Sequence, residues 1–387
     1  MKKLSALVVA LLLLNIQPTH AVETLPQPFF NYLNSKYLGD PGVILIDKAS
    51  GEVIYESGSK KARTPASVLK LTTAAAIALT LDASTVFKTA IYKTEKRGVF
   101  VIWGENDPWI TSNAKYRDAN KRAYMPKLIK AAFASDKKLK KITLIYKGVN
   151  NSDIYYAKKA LKRRASVAYK PLSKNIEVES LITEKISQVE SPPLSKMIRF
   201  ALLYSDNVLS QRLAMLATGK NGYPLNKEGL NDMAHEKLTT LGIDTKGMKL
   251  VDGSGLGGSN RISAVTVSQL LLKIRSEPQL KVVYDSLPVG GESGTLIGRY
   301  HTTAPQAVGI VKAKTGSTRH TVSLAGYTSS GEKEYVFVVI ADGVGRTKRS
   351  QNAARSAIDR MLGTITKPVV IGLTPPTVEN NPVAITQ

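Results

Sequence analysis

The sequence has no cysteine at any of its 387 positions. That excludes disulfides, thiolate metal sites and a cysteine nucleophile. It does not argue against export, because a chain of this length buries a core that needs no covalent staple. Histidine is scarce: there are four, and His20 falls in the N-terminal apolar segment, which leaves His235, His301 and His320. His235-Glu236 has no second histidine at helical spacing, so a zincin site is excluded. His320 follows a lysine-bearing strand closely, but a surface position is the simpler account. Aromatic residues make up only 6% of the chain, yet hydrophobic residues reach 43%, so bulk disorder is excluded. There is no phosphate loop of the Lys-Ser/Thr type and no dinucleotide fingerprint, and no cofactor is expected.

Two segments have a distinct composition. Lys2 and Lys3 precede an apolar run from Leu4 to Ile16, and Thr19-His20-Ala21 fits a small-x-small cleavage site. Residues 1–21 therefore read as a secretory signal, since the run is shorter than the ~20 residues a membrane span needs. Export to the periplasm or the outer face of the cell envelope is expected. The second segment, 115–170, holds 17 Lys or Arg against 3 Asp, within a chain of net charge +24. Outside the cytoplasm such a patch meets anionic envelope polymers or lipid heads, not nucleic acid. A solvated surface with no specific partner is the other reading.

Strand-like runs occur at Val43–Asp47 and Glu52–Glu56, joined by a turn, and again at Gly309–Lys314, Thr321–Thr328 and Glu334–Ala341. Helical patterns fill the middle: Ser67–Leu81 after a Thr64-Pro65 start, Pro193–Ala217 broken at Ser205-Asp206-Asn207, Ala264–Ser276 and Ser350–Leu362. Two early and three late strands predict an α+β fold, one antiparallel five-stranded sheet flanked by helices. The catalytic part is expected over 22–94 and 189–364. Residues 95–188, with strand-like runs at Val99–Trp103 and Ile142–Tyr146, form an inserted domain. Residues 365–387, rich in proline, read as a flexible tail.

Three short motifs carry chemistry. Ser67-Val68-Leu69-Lys70 places a hydroxyl and an amine three residues apart at a helix start, so the amine can act as base if its pKa falls toward ~7–8. Ser205-Asp206-Asn207 offers a hydroxyl for proton relay and an amide for a substrate peptide group. Lys314-Thr315-Gly316-Ser317 at a strand edge suits an anionic group, and glycine lets a substrate backbone approach. Each alone is no more than a helix start, a helix break or a turn. In this order and these contexts they match the signature shared by penicillin-binding proteins and class A β-lactamases.

Further residues sharpen the match. Leu250-Val251-Asp252-Gly253-Ser254-Gly255-Leu256 with Asn260-Arg261-Ile262, Ser286-Leu287-Pro288-Val289-Gly290-Gly291 and Gly294-Thr295-Leu296 resemble loops of the low-molecular-mass class C penicillin-binding proteins. These form a D-Ala-D-Ala carboxypeptidase/endopeptidase family whose members carry an insertion between the first two motifs. The resemblance covers about residues 41–362.

It implies that Ser67 attacks the D-Ala-D-Ala carbonyl, Lys70 takes its proton, Ser205 and Lys314 relay a proton to the leaving amine, and Asn207 holds the substrate. Thr315 and Ser317, around Gly316, would bind the terminal carboxylate, with backbone N–H groups of Ser67 and Ser317 as oxyanion hole. Peptidoglycan stem peptides are the implied substrates and β-lactams the implied inhibitors. The insertion is shorter and more basic than in relatives. Asp153 is the nearest candidate for the acid that there reads a diamino acid. A β-lactamase, which would need a deacylating glutamate that Glu228 does not supply by spacing, is one alternative. A vestigial wall-binding protein is the other, and Asp252 is read as a turn former.

Overall fold

The computed structural model describes residues 25–161, 166–173 and 175–367. The expected signal segment and most of the expected tail lie outside the described residues. The chain opens with α1 (Gln27–Leu33), β1 (Asp40–Asp47), β2 (Val53–Ser57), a 3-10 turn (Ala66–Leu69) and α2 (Lys70–Ala78). Next come β3 (Lys88–Lys93), β4 (Val99–Gly104), α3 (Ala114–Asn120), α4 (Met125–Ser135), β5 (Lys141–Lys147), α5 (Asn151–Leu161), β6 (Ser166–Pro171) and β7 (Lys185–Glu190). Helices α6 (Leu194–Leu203), α7 (Asn207–Lys220), α8 (Lys227–Thr240), α9 (Ala264–Ser276) and α10 (Lys281–Asp285) follow. The chain closes with β8 (Lys312–Ser317), β9 (Thr321–Ser330), β10 (Lys333–Asp342) and α11 (Lys348–Gly363).

The first sheet has the order β2-β1-β10-β9-β8, antiparallel throughout, as the sequence predicts. Strands β1 and β10 pair along their whole length, Asp40 opposite Asp342 through Asp47 opposite Tyr335, so the two ends of the chain close one sheet. Successive side chains of a strand point to opposite faces, and here the two faces feed two separate cores. Ile44, Ile46, Val336, Val338 and Ile340 pack with α2, α6, α7, α8 and α9. Val43, Leu45, Phe337, Val339 and Ala341 pack with α1 and α11. The sheet is thus buried on both sides, which is why β1 and β10 read as near-continuous apolar runs.

The second sheet has the order β6-β5-β4-β3-β7 and is mixed: β4, β5 and β6 run parallel, while β3 pairs antiparallel with β4 and β7. Its core joins Ile91, Phe100, Ile102, Ile142 and Leu144 to Leu128 and Ile129 of α4 and Ile154 and Ala157 of α5. This sheet spans 88–190, reaching past both ends of the expected 95–188, because β3 and β7 pair with each other and close it. At the C-terminus the fold continues past the expected start of the tail. Thr366 is buried, with its hydroxyl 2.7 Å from that of Thr328, and Lys367 bridges Ser330.

Candidate active site

The helix that carries Ser67 does not start as the Thr64-Pro65 pair suggests. Thr64 caps nothing; its hydroxyl accepts from Arg261 at 3.0 Å. The chain instead enters through the 3-10 turn, whose N-cap position is Pro65 with no side-chain cap. In a 3-10 turn residues three apart eclipse one another, which stacks Lys70 directly over Ser67. Their Nζ and Oγ lie 2.7 Å apart. Ala66, just before Ser67, has φ +49°, the left-handed region that costs a non-glycine residue on the order of 1–3 kcal/mol. Two close approaches hold the strained turn. The Ser323 hydroxyl donates to Pro65 O at 2.7 Å, and Gly255 sits so near that a Cβ there would lie 1.9 Å from Ala66 O.

Lys70 is 1% exposed. Besides Ser67, its Nζ meets Asn207 Oδ1 at 2.7 Å and Ser254 O at 2.6 Å. Those two oxygens can only accept. A neutral amine has two hydrogens and one lone pair, so the lone pair is left facing the one partner that can donate, the Ser67 hydroxyl. Burial pushes the Lys70 pKa down to about 8, against the opposing pull of the Asp252 and Asp206 carboxylates. The spacing of Asp252 suggests a turn former, and the structure gives it more. Its Oδ1 accepts from the backbone N–H of Ser254 and Gly255 and from the Ser254 hydroxyl, each at 2.7 Å; its Oδ2 accepts from Gly257 N–H and Asn260 Nδ2. Burial works against its charge, but these hydrogen bonds outweigh it and hold the carboxyl below its usual range. The loop is thereby fixed with the Ser254 carbonyl aimed at Lys70.

The expected helix break falls at Tyr204 to Asp206, between α6 and α7. Ser205 takes φ +54°, and Asp206 caps α7, its Oδ1 accepting from Leu209 N–H at 2.7 Å. This kink turns Ser205 toward Lys314, with Oγ and Nζ 3.0 Å apart, and Asn207 toward Lys70. Lys314 is fully buried, and burial together with the Lys70 ammonium drives its pKa well below the usual lysine value.

Strand β8 runs over 312–317, three residues later than the expected 309–314, because Gly309 takes φ +76° in a turn. It is the edge strand of the sheet. Ala313 N–H donates outward, to Pro288 O at 3.0 Å. By strand alternation Thr315 and Ser317 also point their backbone groups away from β9, into the site. Gly316 is required there: a Cβ would lie 2.1 Å from Ser323 Oγ and 2.8 Å from Pro65 O. A cavity of about 510 Å³ opens on this edge, lined by Ser67, Ser205, Asn207, Thr315, Gly316 and Ser317. All eight residues singled out from sequence therefore meet at one place, six on the cavity wall and the two lysines directly behind it.

Sequence reasoning missed the arginines. Arg299 and Arg355 line the same cavity, and Arg355 Nη2 donates to Ser317 Oγ at 3.0 Å. Arg355 lies in α11 and Arg299 before β8, outside any motif, so only folding brings them in. Thr295, within the quoted Gly294-Thr295-Leu296, accepts from Thr315 Oγ1 at 2.8 Å. Among the described residues, no acidic side chain lines the cavity. Glu228 is exposed and paired with Lys227. Asp153 is 1% exposed and bonded to Arg212 at 2.9 Å and to Ser112 N–H, so it does not face a substrate. His320 is exposed on the turn between β8 and β9.

Comparison with known proteins bears on this arrangement. The model of the D-Ala-D-Ala carboxypeptidase 3 (S13) family matches residues 36–116 and 175–365. Carboxypeptidase DacB of Mycolicibacterium smegmatis is 28% identical over 367 residues, spanning 82% of this chain and 80% of that protein. A D-alanyl-D-alanine carboxypeptidase of Actinomadura sp. is 42% identical over 113 residues, 28% of this chain and 21% of its own length. Among solved structures, penicillin binding protein 4 of Haemophilus influenzae superposes with a TM-score of 0.68 at 18% identity, over 86% of this chain and 98% of that one, a likeness of fold.

Proposed function

The chain belongs to the D-Ala-D-Ala carboxypeptidase 3 (S13) family, and from that premise we propose that it is a serine peptidase that cleaves D-Ala-D-Ala bonds of peptidoglycan peptides through an acyl-enzyme. The observation that carries the proposal is the contact of Ser67 Oγ with a buried lysine whose other two neighbours are acceptors, so that the lone pair of the neutral amine is left for that hydroxyl. Lys70 takes the Ser67 proton as Oγ attacks the penultimate D-Ala carbonyl. Negative charge moves to the carbonyl oxygen, where the backbone N–H groups of Ser67 and Ser317 stabilise it; such a donor is often worth ~3–4 kcal/mol. The C–N bond breaks as the amine receives this proton, passed on from Lys70 by way of Lys314 and Ser205, which leaves Lys70 neutral again. Asn207 aligns the substrate chain, and Thr315 and Ser317 hold the terminal carboxylate. Water then cleaves the ester and restores Ser67. A β-lactam enters by the same attack, and with no acidic side chain on the cavity wall among the described residues its ester is slow to hydrolyse.

The Lys2-Lys3 start and the apolar run Leu4–Ile16 support export to the compartment where this substrate lies. Among the described residues no helix is long and apolar enough to cross a membrane. The split into a catalytic part and an inserted basic part is read with the second sheet as the insertion. Lys127, Lys130, Lys158 and Lys159 are exposed on its helices, which suits contact with anionic envelope polymers.

Intact-mass spectrometry after adding benzylpenicillin, beside release of D-Ala from an acyl-D-Ala-D-Ala peptide, tests the reading. A long-lived adduct absent from Ser67→Ala, with D-Ala release by the unaltered protein, is expected. Rapid penicillin turnover would make it a β-lactamase, and neither adduct nor release would leave only a wall-binding role.

A further inference from the structure

Arg122 lies between α3 and α4, in the part of the chain built on the second sheet, yet it reaches the catalytic turn. Its side chain is 1% exposed, and Nη2 lies 3.1 Å from Asp206 Oδ2. The guanidinium stands over the Trp109 ring at 4.7 Å, the Phe200 ring at 5.4 Å and the Tyr116 ring at 5.6 Å. Trp109 and Phe200 touch each other edge to face, so the seat combines an aromatic from each part of the chain. Burying a guanidinium costs several kcal/mol unless it is well paired, and docking two units together needs no buried charge. Asp206 is the partner, and it stands between Ser205 and Asn207. Its two oxygens are divided: Oδ1 caps α7 and Oδ2 takes Arg122. Ser205 is held in a left-handed conformation that an unsupported turn would relax.

We propose that Arg122 is a positioning residue for the reaction described above: by clamping Asp206 it fixes the Ser205–Asn207 turn against Lys70 and Lys314. The inserted unit is then a working part of the catalytic site. The proposal rests on the peptidase reading. It carries an electrostatic corollary. Lys70 faces Ser67, Asn207 and the Ser254 carbonyl, with the carboxylates of Asp252 and Asp206 favouring its charged form; the buried amine of Lys314 is the other basic group of the site. Arg122 faces Asp206, Arg212, Asp153 and Tyr116. Removing the guanidinium leaves Asp206 un-neutralised toward Lys70, which raises the pH at which Lys70 becomes a base. Removing the Asp206 carboxylate does the reverse.

The test measures acylation of Ser67 by benzylpenicillin and hydrolysis of an acyl-D-Ala-D-Ala peptide, from about pH 6 to 10, with circular dichroism as the fold check. Arg122→Met is expected to lower both rates by roughly 10–100-fold and to move the acid limb upward. Asp206→Asn, which keeps the cap, is expected to lower the rates and move the limb downward. Arg122→Lys should recover part of the loss, and Arg122→Met with Asp206→Asn should be no slower than Asp206→Asn alone. If Arg122→Met does not fold, Asp206→Asn and Arg122→Lys decide by the same signs. Folded variants with unchanged rates and limbs, or additive losses in the double variant, would overturn the proposal. An unaltered protein that neither acylates nor releases D-Ala would overturn the peptidase reading instead.

Discussion

Ser67 Oγ and Lys70 Nζ lie 2.7 Å apart because a 3-10 turn, not the α-helix after it, sets their relative direction. The same burial that brings them together removes water from the lysine, and desolvation disfavours the ammonium. Lys70 is thereby tuned to about 8. Only the neutral amine accepts the serine proton, so acylation should climb about tenfold per pH unit below that value and level off above it. Second-order acylation by benzylpenicillin, followed across pH by mass, checks this. A rate flat between about pH 6 and 9 would show that another group is the base.

Lys314 offers a test on stability as well as activity. It is fully buried, and among the described residues no carboxylate lies within ion-pair distance of it. Its folded pKa is far below the unfolded lysine value. The unfolded chain therefore binds more protons between those two values, and stability rises with pH across that window. Lys314→Met removes the buried amine. It should raise stability near pH 7 by about 1–2 kcal/mol while acylation falls by at least roughly 100-fold. The stability advantage should shrink as pH rises toward ~10.4. Chemical denaturation at two pH values gives the comparison, and a variant less stable at neutral pH would contradict it.

How much of this was legible without coordinates depends on the kind of signal. The apolar runs of β1, β9 and β10 and the period of α9 carry their own burial, so the sheet and the flanking helices follow from local pattern. The three motifs are contiguous in sequence and show themselves as chemistry. What failed is non-local. Thr64-Pro65 has the form of a helix start, but tertiary contacts from Ser323 and Gly255 impose a 3-10 turn. Arg299 and Arg355 reach the cavity only because α11 packs beneath β8 and β9, and no pattern in their neighbours says so. Asp252 shows the same limit: its spacing suggests a turn, while the donors that converge on it and their effect on Lys70 appear only in three dimensions.

The Asp252 loop should tolerate little at one glycine and much at another three residues away. Gly255 has φ +79°, and a Cβ would meet Ala66 O at 1.9 Å. The backbone conformation alone costs a residue other than glycine about 1–2 kcal/mol, and the clash falls on the turn that presents Ser67. Gly255→Ala should therefore slow acylation by at least about tenfold beyond its effect on folding. A Cβ at Gly258 would meet nothing within 4 Å, and its φ is not positive, so Gly258→Ala serves as the control with near-normal rate. Equal behaviour of the two variants would show that the loop does not brace Ser67.

The basic helices of the second unit make a prediction that salt can separate from packing. Lys127 and Lys130 on α4 and Lys158 and Lys159 on α5 are exposed, whereas Leu128, Ile129, Ile154 and Ala157 on the same helices form the core. Replacing the four lysines by glutamine leaves that core untouched, so each substitution should change stability by no more than about 0.5 kcal/mol. Attraction to a polyanion acts over the Debye length, ~30 Å at 0.01 M salt and ~3 Å at 1 M. Binding to isolated sacculi should therefore weaken several-fold in the variant at low salt, and the two proteins should converge at high salt. Hydrolysis of a short acyl-D-Ala-D-Ala peptide, which reaches only the cavity, should be unaltered at any salt. A variant that binds sacculi as well as the parent at low salt would show that this surface is solvated and holds no partner.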